Sequence, residues 1–203
     1  MNALLLVFLI VISGSIASNA QNLAPLDKQL QKSIVAFEKG QLIKAERLLN
    51  KLITQEELYA PAYLWKGKCL EEFEEYLSAY DAYYTACQLQ PQVAEYWVAL
   101  GDFKQRLGSL SIQKPEVCGE CGKQFLPNIG SRPKASSYFE SALADYQKAL
   151  QLNHTLPKVH YQLGLTQAAL GAKEEACAAI ADAVQLGYEA AISYQKEYCS
   201  KKE

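Results

Sequence analysis

Cys118-Gly119-Glu120-Cys121 is the stretch whose residue types and spacing come closest to chemistry. Two thiols three positions apart serve several ends. Oxidised, they close a local disulfide that stiffens a loop. As thiolates flanked by glycine they are half of a zinc site, which wants four ligands. No second cysteine pair follows at a suitable spacing, and His154 or His160 would have to reach across. As a reactive dithiol they need a low thiol pKa, which such pairs gain at a helix N-terminus on a strand–helix scaffold. Here no strand precedes the pair, and Gly122 follows it. Two free thiols are the fourth state. Cys118 and Cys121 are therefore a candidate disulfide, with thiol-redox or zinc binding as the alternative use.

The rest of the chain holds little that could catalyse. Cys69, Cys87, Cys177 and Cys199 read as small apolar packing residues. A Cys69–Cys87 bridge would need Cα atoms within about 7 Å. His154 sits at a helix end, placed to cap carbonyls. Glu71, Glu72, Glu74 and Glu75 read as a solvated turn rather than paired catalytic carboxylates. Ser/His/Asp arrangements, glycine-rich phosphate loops and His-Glu-x-x-His are missing from the sequence. These readings point away from an enzyme, from a cofactor and from a metal site.

The elements that carry these residues recur at a fixed interval. Ala45 and Ala79, Gly67 and Gly101, and Ala142 and Ala176 each lie 34 apart. Gly101 and Gly164, Ala79 and Ala142, Tyr83 and Tyr146, and Ala86 and Ala149 each lie 63 apart. The longer interval exceeds the shorter by 29, which is one repeat interrupted by an insertion. Self-similarity at this period predicts stacked helical hairpins. Ala79, Tyr83 and Ala86 mark one face of a helix. Gly67 and Ala79 let two helices approach closely, and Pro91 ends the second helix because it lacks an N–H.

Gly67, Leu70, Tyr76, Ala79, Tyr83, Ala86 and Pro91, with Trp97, Leu100 and Gly101 of the next unit, closely resemble the tetratricopeptide (TPR) repeat. The resemblance covers about residues 26–188 apart from the insertion. It implies an all-α, right-handed α-solenoid of about four hairpins with a C-terminal capping helix over 189–203. It also implies that His160 packs where the family often has an aromatic residue. In this family the inward positions of each first helix contact partners. Carried onto this chain, they are Leu30, Ile34 and Phe37, then Leu64, Lys68 and Glu71, then Val98, Asp102 and Gln105 with Arg106 at the edge, then Tyr161, Leu165 and Ala168. Leu30 and Ile34 replace the polar residues with which some members clamp a partner's terminal carboxylate.

On this reading residues 21–108 hold the first two repeats and the first helix of the third. Residues 109–136 are the insertion, with three of the seven prolines and three glycines. Residues 137–203 complete the stack. Gly108 marks the expected turn between helices, and Ser137-Tyr138-Phe139-Glu140 the expected capping box of the partner helix. Residues 1–20, with their apolar run and the small residues Ser18-Asn19-Ala20, read as a secretory signal. That places the protein in the periplasm or outside the cell, with no stable membrane span after cleavage; the rival reading is an uncleaved anchor, whose apolar stretch from Ala3 to Ala17 is short of the roughly 20 residues a span needs. A net charge of −2 supplies no basic excess for nucleic acid. The expectation is a non-enzymatic module that binds a protein or peptide in its groove, with self-association through the terminal helix as a further possibility.

Overall fold

Prolines and left-handed turns divide this chain into helices, six of the nine described being 13 to 15 residues long. The computed structural model describes residues 24–113 and 134–200. The signal expected over 1–20 and the Cys118–Cys121 pair lie outside them. In order the elements are α1 (24–38), α2 (Leu42–Gln55), α3 (Ala60–Glu72), α4 (Tyr76–Leu89), α5 (Ala94–Gln113), α6 (Ala135–Leu152), α7 (Pro157–Ala169), α8 (Lys173–Gln185) and α9 (Glu189–Tyr194). A π-helical turn, Gln195–Cys199, follows. Among the described residues there is no strand. Pro61 opens α3 and Pro157 opens α7, where a missing N–H costs nothing.

The turn inside the first, second and fourth hairpins is closed by paired backbone bonds. At the end of α7, Gly171 N–H donates to the Ala168 carbonyl and Ala172 N–H to the Gln167 carbonyl, both at 3.0 Å. Gly171 takes φ +80°, which glycine adopts without strain. The equivalent place in the second hairpin holds Glu74, at φ 60° and with the same pair of bonds.

Close crossings build each hairpin. A methyl group on Gly67 would lie 2.8 Å from the Tyr83 ring, one on Gly101 2.8 Å from Tyr146, and one on Gly164 2.7 Å from Ile180. The contact partners are 16 residues apart in the second and fourth hairpins and 45 apart in the third. The difference is the 29 inserted residues. The two helices flanking the insertion, α5 and α6, therefore lie side by side, and the solenoid continues across the break.

The third hairpin departs from expectation at its open end. Gly108 does not turn: α5 runs through it to Gln113, giving 20 residues against 13 in α3. Gly108 instead faces Phe139, whose ring would lie 2.7 Å from an added methyl. Likewise α6 starts at Ala135, so Ser137 lies inside the helix and caps nothing. Buried Tyr138 and Phe139 hold this added length against α5 and the core beyond it, and packing overrides the local turn and cap signals.

Two cysteines also depart from expectation. Cys177 and Cys199, read as separate packing residues, form a disulfide with Cα atoms 5.7 Å apart. The end of the chain folds back on α8 and brings them together. Cys69 and Cys87 are buried and free, as read from the sequence. Burial, the larger cause, and nearby carboxylates push their thiols up to about 11 and about 12. The terminal helix expected over 189–203 forms, with six α-helical residues running directly into the π turn.

Candidate functional site: the inner cleft

The first helices of the hairpins, α1, α3, α5 and α7, converge on a cleft of about 500 Å³. Seven of the groove positions carried over from the family line it together: Phe37, Leu64, Lys68, Glu71, Val98, Asp102 and Arg106. Phe37 of α1 also packs edge-on against Trp65, with ring centroids 5.5 Å apart. The other six positions lie outside that lining. Gln105 sits behind it, its Nε2 donating to Thr166 Oγ1 at 2.8 Å. Leu165 is half-buried on α7. Tyr161 is covered by Tyr188 and Tyr194. Leu30, Ile34 and Ala168 are likewise half-buried outside the cleft, Leu30 packed on the core of the first hairpin.

Most of the charges in the cleft are tied to one another. Arg106 on α5 grips Glu71 on α3 with two bonds, Nε to Oε1 and Nη2 to Oε2, the latter at 2.7 Å. The Tyr83 hydroxyl donates to Glu71 Oε2 at 2.9 Å. One unit later, Lys158 on α7 pairs with Asp102 on α5 at 3.0 Å, and the Tyr146 hydroxyl donates to Asp102 Oδ1 at 2.8 Å. Each carboxylate thus takes a proton donor from its own hairpin's second helix and a cation from the next hairpin's first helix. Burial, followed by the carboxylates they face, pushes both tyrosine pKa values well up, so the hydroxyls remain donors. Burial opposes the charge on Arg106, but its bonds to Glu71 prevail and its pKa is raised.

Lys68 is different. Its Nζ lies 3.8 Å from the centre of the Trp65 ring, and no described carboxylate comes within ion-pair distance. Burial lowers its pKa, and Glu95 opposes that shift. The cleft therefore offers an apolar floor of Phe37, Leu64 and Val98, the Lys68 cation with no carboxylate partner among the described residues, and the exposed carboxylates of Glu72 and Glu95 at its edge. This set can seat side chains and pair with charge. Of the acidic run, Glu72, Glu74 and Glu75 are exposed, as expected, and Glu71 alone turns inward.

Sequence reasoning missed several of these residues. Tyr83 and Tyr146 had a signal, since they recur 63 apart and their hydroxyls face the first helix. Lys158 had none, because its partner lies 56 residues away. A buried ion pair between Lys104 and Asp145, at 2.7 Å, was also missed. Its signal was a mismatch: the equivalent residues of the second hairpin are Leu70 and Ala82. His160, half-buried as its packing role required, donates from Nε2 to the His154 carbonyl at 3.0 Å. Among the described residues no group of three histidine, cysteine or acidic side chains could hold a metal ion. Nor is any described helix long and apolar enough to cross a membrane.

Comparison with known proteins agrees with this geometry. Residues 137–171, which carry most of α6 and all of α7, match the family model of the TPR repeat. The fold is similar to that of a thermophilic TPR protein from Thermus thermophilus (TM-score 0.62, 17% identity, 86% of this chain and 83% of that one). It is similar to MamA (TM-score 0.57, 15% identity, 86% of each chain). An O-GlcNAc transferase of Thermobaculum terrenum also matches (TM-score 0.59, 18% identity), over 80% of this chain and 26% of its own. At these identities the likeness is one of fold. A comparison with curated proteins finds no match.

Proposed function

We propose that this chain, a tetratricopeptide-repeat protein, is a non-enzymatic interaction module that holds a protein or peptide partner in the cleft between its first helices. The repeat and its fold support protein–protein interaction as the general role. The observation that carries the specific reading is the convergence of seven positions expected of the inner face on one cleft. Apolar residues of a partner seat over Leu64 and Val98. Its charges meet Lys68 on one side and Glu72 or Glu95 on the other. The Glu71–Arg106 and Asp102–Lys158 pairs join neighbouring repeats and keep the wall in shape.

The proposed setting is the periplasm or the cell exterior. The apolar leader supports it, and so does the Cys177–Cys199 disulfide, a bond that persists in oxidising compartments. The test is affinity purification from the native envelope with the full chain and with a K68A/D102A/R106A triple variant. The partner should be lost from the variant while its helical circular dichroism is unchanged. Equal recovery by both proteins would remove the cleft from the proposal. Capture of a second copy of this chain alone would replace the partner with self-association.

A further inference from the structure

Tyr161 occupies the repeat position of Leu64 and Val98, the two residues that floor the cleft. Its ring is nevertheless covered. Tyr188 packs on it at 5.2 Å between centroids and Tyr194 meets it edge-on at 6.0 Å. The covering segment belongs to this chain, so the occupant of that surface is known.

Packing alone holds this segment weakly. Its helix, α9, has six residues, far short of the length at which a helix is stable by itself. Ala191 is its one buried residue, Ile192 is 42% exposed, and the π turn buries none. The segment touches the stack through the small cluster of Ile180, Ala183 and Ala191 with its bordering tyrosines. Its far end is tied by the bond from Cys199 to Cys177 on α8, across 22 residues of chain. Both cysteines are half-buried, within reach of a reductant. Cys69 and Cys87 are fully buried and lie apart from this region.

We propose that the Cys177–Cys199 disulfide is a redox latch that holds residues 188–199 over Tyr161, and that its reduction releases them and adds the α7 face to the groove. The reductant is a dithiol. Its thiolate attacks one sulfur and expels the other as a thiolate. The second thiol of the reductant then breaks the mixed disulfide and leaves as a cyclic or protein disulfide. Two electrons pass to the pair, and Cys177 and Cys199 each end with one proton. The gain in groove length rests on the proposed function; the release does not, and it is read without any partner.

The experiment is hydrogen exchange on the full chain carrying C118S and C121S, so that only the latch pair responds, with and without dithiothreitol. A C177S/C199S version of the same protein serves as the permanently open form. Reduction should speed exchange of the 189–199 amides by about tenfold or more, with α3 to α6 unchanged, because a disulfide of this kind is a major share of local stability. The open form should show the same fast exchange without reductant. Equal exchange of the segment in oxidised and reduced protein would overturn the latch, since packing would then suffice. Faster exchange throughout α3 to α6 would overturn it too, by making the bond a staple of the whole fold.

Discussion

Gly101 lies so close to Tyr146 that a methyl group on its α-carbon would sit 2.8 Å from the ring. The same ring then reaches past the backbone to place its hydroxyl on Asp102 at 2.8 Å. One glycine thus serves both packing and the polar wall of the cleft. The second hairpin repeats the device, with Gly67 under Tyr83 and the hydroxyl on Glu71.

The continued pairing of α5 and α6 past the expected turn makes Gly108 sensitive. Gly108→Ala should lower stability by up to about 2 kcal/mol, the overpacking cost less alanine's helical advantage. Adding Phe139→Leu should return part of that loss, because the smaller side chain makes room. Urea denaturation of both variants checks this. A Gly108→Ala that stabilises by alanine's full helical advantage, about 1 kcal/mol, would show that the two helices part before that point.

Lys104 and Asp145 stand where the second hairpin has Leu70 and Ala82. Burial raises the Asp145 pKa despite the pull of Lys104, so desolvation outweighs pairing. Breaking the pair by Lys104→Leu or Asp145→Ala alone should cost about 3–5 kcal/mol. The double variant restores the apolar pattern of the second hairpin and should be neutral or up to about 4 kcal/mol more stable than the natural protein. A double variant as unstable as either single one would contradict this account.

Alkaline pH should unfold the protein early. Tyr83 and Tyr146 have pKa values raised by burial first and by their carboxylate partners second. Between the unfolded tyrosine pKa near 10 and the raised folded values, the unfolded chain loses these protons first. Stability is therefore retained below about pH 10 and falls as pH rises above it, by at most about 1.4 kcal/mol per pH unit for each tyrosine. Denaturation midpoints at pH 9, 10 and 11 measure the slope, and Tyr146→Phe should flatten it. A midpoint constant across that range would refute the assignment.

Glu74 sits in the left-handed turn that Gly40 and Gly171 occupy elsewhere, at φ 60° against +69° and +80°. A side chain there costs roughly 1–2 kcal/mol. Glu74→Gly should raise stability by up to about 1 kcal/mol once glycine's greater freedom in the unfolded chain is subtracted. A lower melting temperature for this variant would mean that the Glu74 side chain makes a contact worth more than the strain.

Much of this molecule was legible in its repeats. Small residues at 34-residue intervals located the helix crossings, and the excess of 29 measured the insertion. Seven positions that the family resemblance placed on the inner face line one cleft, because inward-facing residues recur with the hairpin; that a partner binds them is the proposal. Register failed where a distant partner intervened. Tyr161 holds a groove position but is covered by Tyr188 and Tyr194. Gly108 holds a turn position but is pressed against Phe139.

The helical period and the close-packed crossings were thus written into residue type and spacing, since each depends on neighbours within a turn or a repeat, while the inner face was implied by the family resemblance. The charge pairs, the Cys177–Cys199 bond and the true ends of α5 and α6 arose only on folding. Arg106 meets Glu71 across 35 residues and Lys158 meets Asp102 across 56. Pairs separated so far along the chain are selected by which side chains come to share the cleft wall once the hairpins have stacked, and no local pattern encodes that choice.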